Sequence, residues 1–97
     1  MVTARPEAPG PNEARYEVRN DDRDGWPLVV YVEPWGEDYT IRPGEALEIV
    51  ACGASSRPWF QRSDGVGSAQ VWVESDCVDF AVYQGGRQIE CGHNRGC

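Results

Sequence analysis

The sequence predicts an all-β domain, a small antiparallel β-sandwich of about seven strands, with a small β-barrel as the alternative closure. Three observations predict it. From Tyr16 onward, apolar residues fall in short runs of period two separated by turn residues. No window of about twelve residues without Gly or Pro carries a helical stripe. With no helix to cover it, the apolar face of one sheet has to be covered by another sheet. A chain of 97 residues has the size of one domain.

Thr3 to Asn12 hold three prolines, one glycine and little that is apolar, so residues 1–14 are expected to form a flexible tail and residues 15–97 a single β domain. Arg15 to Arg19 is a short, half-polar first strand, ending in the loop signature Asn20-Asp21-Asp22-Arg23-Asp24-Gly25. Leu28 to Glu33 crowds Val29, Val30, Tyr31 and Val32 together as a central strand prefers. Glu33-Pro34-Trp35-Gly36 reads as a turn. Asp38 to Arg42 and Glu45 to Cys52 form the next pair, joined at Pro43-Gly44, where a type II turn places proline at a preset φ and glycine at a positive one. Leu47, Ile49 and Ala51 face inward. The stretch that follows, rich in Ser, Arg and Gly, reads as a loop anchored by Trp59 and Phe60.

The last third reads as a three-stranded meander over residues 69–75, 78–84 and 87–91. A turn at Ser75-Asp76 pairs Val73 with Val78 and Val71 with Phe80; a turn at Gly85-Gly86 pairs Val82 with Ile89 and Phe80 with Cys91. Both registers put Val71, Val73, Val78, Phe80, Val82, Ile89 and Cys91 on one face. Gln70, Trp72, Glu74, Cys77, Asp79, Ala81, Tyr83, Gln88 and Glu90 take the other.

Sixteen acidic residues against nine basic ones give a net charge of -7. Nucleic acid and anionic lipid are therefore not expected as partners. No apolar stretch approaches the eighteen or so residues of a membrane helix, and no hydrophobic signal region follows Met1, so the expected location is the cytoplasm. In that reducing compartment Cys52, Cys77, Cys91 and Cys97 are expected mostly as thiols, with disulfides as the alternative. Cys91, His93 and Cys97 have the chemistry of a zinc site, but as one loose cluster rather than two close pairs; no metal and no other cofactor is expected. Asn20-x-Asp22-x-Asp24-Gly25 matches the start of a calcium loop, but Tyr31 stands where the bidentate glutamate belongs. The sequence holds no Gly-x-Ser-x-Gly elbow and no phosphate-cradling glycine loop.

Trp26, Trp35 and Trp59 lie at or near strand ends, where a large ring caps a small core. Trp72 differs: Val71 and Val73 point inward, so alternation turns its ring outward. With Gln70, Asp79, Tyr83 and Gln88 it makes a recognition surface. The expected function is binding of another protein, of basic character, without catalysis. A carbohydrate-binding module is the alternative, and a zinc-binding protein or metal-dependent enzyme centred on Cys91, His93 and Cys97 a third.

The segment Glu33-Pro34-Trp35-Gly36-Glu37-Asp38-Tyr39-Thr40-Ile41-Arg42-Pro43-Gly44-Glu45 resembles a stretch of small, uncharacterised bacterial proteins. That resemblance covers about a third of the chain and implies no activity. Ile41-Arg42-Pro43-Gly44-Glu45-Ala46-Leu47 is similar to the strand-turn-strand of immunoglobulin-like and cupredoxin-like sandwiches. Only architecture carries over, because a blue-copper site needs two histidines and the chain has one.

Overall fold

In the computed structural model, which describes residues 12–74 and 77–94 (without the side chains of Cys77 and Val78), alternation and turn chemistry resolve into eight strands. They are β1 (Glu13–Arg19), β2 (Leu28–Glu33), β3 (Glu37–Ile41), β4 (Ala46–Gly53), β5 (Trp59–Gly65), β6 (Ser68–Glu74), β7 (Cys77–Gln84) and β8 (Arg87–Ile89). Two four-stranded sheets, ordered β1-β4-β7-β8 and β3-β2-β6-β5, pack as a sandwich that does not close into a barrel. The first sheet is antiparallel throughout; in the second, β2 and β6 run parallel. No helix among the described residues is long and apolar enough to cross a membrane.

The inward positions of both sheets form one core. Val18, Val30, Val32, Ile41, Leu47, Ile49, Ala51, Val71 and Val82 are each at most 2% exposed, and Phe60, Phe80 and Ile89 pack against them. Leu47, Ile49 and Ala51 therefore face inward as the pattern predicts, and so do Val71, Val73 and Val82.

Turn chemistry holds at Pro43-Gly44 and at Gly85-Gly86. Gly44 takes φ +85° and Glu45 N donates to Arg42 O at 2.9 Å, as a type II turn requires. Gly85 and Gly86 both take positive φ, and the resulting β7–β8 hairpin pairs Val82 with Ile89 in the expected register.

Four expectations are corrected. First, β6 and β7 do not form a meander: β6 lies between β2 and β5, and β7 lies between β4 and β8. The turn residues 75 and 76 fall outside the described residues. In a sandwich both sheets turn their apolar sides to one core, so alternation fixes which residues point inward but not which sheet they belong to. Second, Pro43-Gly44 joins β3 to β4 across the two sheets rather than within one.

Third, the stretch read as a loop contains β5. Trp59-Phe60-Gln61-Arg62-Ser63-Asp64-Gly65 shows no apolar alternation because it is an edge strand whose inward positions, after Phe60, are the charged Arg62 and Asp64. Pairing with β6 supplies the order that local pattern does not. Fourth, β8 ends at Ile89, so the alternation stops short of Cys91, which is exposed rather than inward. The first strand begins at Glu13, two residues inside the expected tail; residues 1–11 lie outside the described residues.

At one end of the sandwich, the loop after β1 is organised by Asn20, which is 3% exposed. Its Nδ2 donates to Trp26 O at 2.9 Å and Ile41 O at 3.0 Å, and its Oδ1 accepts from Asp22 N at 3.0 Å. Its backbone N donates to Glu45 O, and its carbonyl accepts from Gly44 N. Asp22 Oδ1 in turn accepts from Asp24 N at 2.8 Å. The residues that mimic a calcium loop thus form successive Asx turns.

Replacing Asn20 by alanine strands two carbonyls and one amide, and should lower the unfolding free energy by about 3 kcal/mol in urea titration. Asn20→Asp should also be destabilised, and increasingly so as pH rises above about 4, because a carboxylate facing two carbonyl oxygens favours its proton in the folded state.

Candidate functional site

The outward positions of the β3-β2-β6-β5 sheet bring together three aromatic side chains. Tyr31 on β2, Trp72 on β6 and Trp59 on β5 are 37%, 41% and 55% exposed, fractions unlike those of the valines that alternate with them. Val30 and Val32 flank Tyr31, Val71 and Val73 flank Trp72, and all four are buried. The same alternation that builds the core therefore ejects these rings.

Register sets their spacing. Tyr31 stands opposite Gln70, two residues from Trp72; Trp72 stands opposite Gln61, two residues from Trp59. The three rings thus lie on one diagonal across β2, β6 and β5, where such neighbours are about 7–8 Å apart. Each has a carboxylate at the directly paired position: Asp38 opposite Tyr31, Glu33 beside Trp72, and Glu74 opposite Trp59. Between them stand Gln61, Ser63 and Gln70. An aromatic face carries negative charge density, so rings and carboxylates alternating on one plane attract the same kind of group, a cation with an apolar stem.

The five residues expected to share one surface are divided. Gln70 and Trp72 lie on this face. Asp79, Tyr83 and Gln88 lie on the outer face of the other sheet, where Tyr83 pairs with Gln88 and with Glu48. The core separates the two groups, a consequence of β6 and β7 belonging to different sheets. Trp59 and Tyr31 are the members that sequence reasoning missed. Tyr31 carries the signal that identified Trp72, an aromatic between two inward valines; Trp59 became legible only once β5 was seen to be a strand.

Of the other two tryptophans, one keeps the expected place and one does not. Trp35 stacks on Phe80, with ring centroids 4.3 Å apart, and does cap one end of the core. Trp26 is 66% exposed, and its backbone carbonyl accepts from Asn20.

On the far side of β3 the chain after β8 runs along the strand. Gly92 N donates to Asp38 O at 2.7 Å, and Thr40 N donates to His93 O at 2.9 Å. The His93 Nε2 lies 3.0 Å from Gln84 Oε1, and the Cys91 thiol points to Asp38 Oδ1 at 3.9 Å. Cys97, the third member of the zinc alternative, lies outside the described residues, and among those described no three His, Cys, Asp or Glu side chains are grouped to hold a metal. Cys52 is an exposed free thiol.

Tyr39, on the inner side of β3, donates its hydroxyl to Glu37 Oε1 at 2.7 Å. Burial first, and then that bond to a carboxylate, hold its phenol far above the ordinary value of 10.0.

Set against protein-family models, curated proteins and solved structures, the chain matches none of them.

The raised phenol makes a pH prediction. The folded state keeps a proton that the unfolded state releases near pH 10, so Tyr39 contributes stability below that pH and loses it progressively above. Urea melts should show the native protein weakening from about pH 10 upward, with Tyr39→Phe flattening part of that decline and costing about 1 kcal/mol at neutral pH.

Proposed function

We propose that this protein is a non-enzymatic binding module of the cytoplasm that recognises a cationic surface of another protein through the outer face of the β3-β2-β6-β5 sheet. The observation that carries this reading is the diagonal of Tyr31, Trp72 and Trp59 with a carboxylate paired to each ring. Half-exposed tryptophans on central and edge strands are costly to leave in water unless a partner covers them, and aromatic side chains are the residues on which interface energy concentrates. A net charge of -7 speeds encounter with a basic partner and discourages self-association.

The alternative, a carbohydrate-binding module, is favoured by the placement of three rings on one sheet face with Gln61, Ser63 and Gln70 between them, since sugar faces stack on such rings and amides bond their hydroxyls. The carboxylate beside every ring favours the cationic protein partner.

Trp72→Ala separates recognition from stability. Loss of a half-exposed ring should cost about 1 kcal/mol in a urea melt, well below the roughly 3 to 5 kcal/mol of a core aromatic. Capture of the partner from lysate should weaken by about 2 kcal/mol or more. Retained capture, or loss of more than about 2 kcal/mol of stability, would show the ring to be structural. A glycan array run beside the capture assigns the ligand: selective sugar binding abolished by Trp72→Ala overturns the protein reading in favour of the carbohydrate one.

A further inference from the structure

The aromatic row on the β3-β2-β6-β5 sheet is straight. β2 runs parallel to β6 with Tyr31 opposite Gln70, and β5 runs antiparallel to β6 with Trp59 opposite Glu74. Measured along β6, the rings of Tyr31, Trp72 and Trp59 therefore stand at the levels of Gln70, Trp72 and Glu74, each step one strand across and two residues along. Both steps cover the same diagonal, so the row is about 15 Å long with its rings evenly placed. That interval selects the shape of what covers it. In an extended chain the side chains of one face recur every second residue, about 6.6–6.8 Å apart, so residues i, i+2 and i+4 meet the three rings in turn. A helix keeps one face only at uneven steps of three and four residues, about 4.5 and 6 Å, and falls out of step with the row.

The chemistry of the row selects the side chains. Glu33 stands beside Trp72 and Glu74 opposite Trp59, and neither carboxylate meets a cation among the described residues. Asp38, opposite Tyr31, is already engaged by the Cys91 thiol, so the charge of the site is carried by Glu33 and Glu74. Ring faces beside carboxylates hold a cation on an apolar stem, lysine or arginine, whose methylenes lie along the ring. Gln61 and Gln70, exposed between the rings, offer amides to the main chain of a segment crossing above them. Arg57 lines the groove between β1 and β5 together with Trp59, which makes that end of the row the least attractive to a cation.

We infer that the row receives an extended segment of the partner with basic residues at alternate positions, laid obliquely across β2, β6 and β5 rather than added at a sheet edge. This rests on the cationic partner proposed above and adds its conformation and spacing. Three basic residues within a stretch of five occupy the three rings. Trp72, central and beside Glu33, is the strongest station. A second copy of this chain does not supply such a segment, because no two of its nine basic residues stand two apart in sequence.

The test titrates the whole protein with two blocked peptides of one composition, Lys-Ser-Lys-Ser-Lys and Ser-Lys-Lys-Lys-Ser, and follows the indole N–H signals of the four tryptophans by NMR. Signals of Trp59 and Trp72 should move saturably while those of Trp26 and Trp35 stay, and the alternating peptide should bind about fivefold tighter. Trp72→Ala should remove that preference, and Glu33→Gln combined with Glu74→Gln should weaken both peptides. Equal affinity of the two peptides overturns the extended spacing while leaving the cationic partner standing. No saturable movement, or movement confined to Trp26 or Trp35, also overturns the inference. The cationic-partner reading falls on a separate result, capture that survives Trp72→Ala. Because the preference is read on the unaltered protein, the outcome stands even if a variant fails to fold.

Discussion

The two sheets are fastened at one end by a single buried amide. Asn20 follows β1, yet its side chain bonds the last residue of β3, Ile41, in the opposite sheet, and the carbonyl of Trp26 in the intervening loop. Its backbone meanwhile pairs with Gly44 and Glu45, the residues that carry the chain from β3 across to β4. One residue thus ties together the exit of β1, the loop to β2 and the arch between the sheets. A buried amide with both donors and its acceptor satisfied rigidifies its surroundings; with any of them unmet it would cost more than an apolar side chain. The rest of the fold inherits its alignment from this point, because β1, β3 and β4 set the register of everything paired with them.

The remaining sides are closed by other chemistry. Trp35 stacks on Phe80, joining the β2–β3 turn to β7, and Tyr16 stacks on Phe60, joining the edges β1 and β5. Residues 92–94 cross to β3 and pair with it, which is possible only because β8 stops at three residues. The short β8 therefore frees the chain that follows it to cover the β3 edge. A closed barrel would have removed the sheet edges, but the eight strands here are divided evenly between two sheets with separate ends.

What the sequence disclosed follows from which interactions are local. Gly44, Gly85 and Gly86 reveal their turns because positive φ is a property of the residue itself. Leu47, Ile49, Val71, Val73 and Val82 reveal their burial because alternation is a property of the strand itself. The partnership of β6 with β2 and β5 was not legible, since Val71 and Val73 would read identically against β7. β5 was hidden for the opposite reason, its inward Arg62 and Asp64 erasing the alternation that marks a strand. Asn20 sits in a loop as read, but its burial was not legible, because a buried asparagine and an exposed one are the same letter; the carbonyls of Trp26 and Ile41 converging on it make the difference. At the candidate site, Trp72 was legible from its flanking valines, whereas the row it belongs to depends on long-range register.

That dependence also explains how so small a domain could carry the proposed recognition surface without endangering its core. Period two assigns Val71 and Val73 to stability and Trp72 to the outside on the same strand, and it does the same for Val30, Tyr31 and Val32. The outward residues are positioned first by main-chain bonds and by buried neighbours. Their identity can change with little effect on folding, while their spacing stays fixed by the ladder. A loop-borne site would be freer in shape but looser in geometry. The sheet face instead holds three rings and three carboxylates at intervals set by strand separation, an array suited to a ligand that is itself extended and regularly spaced.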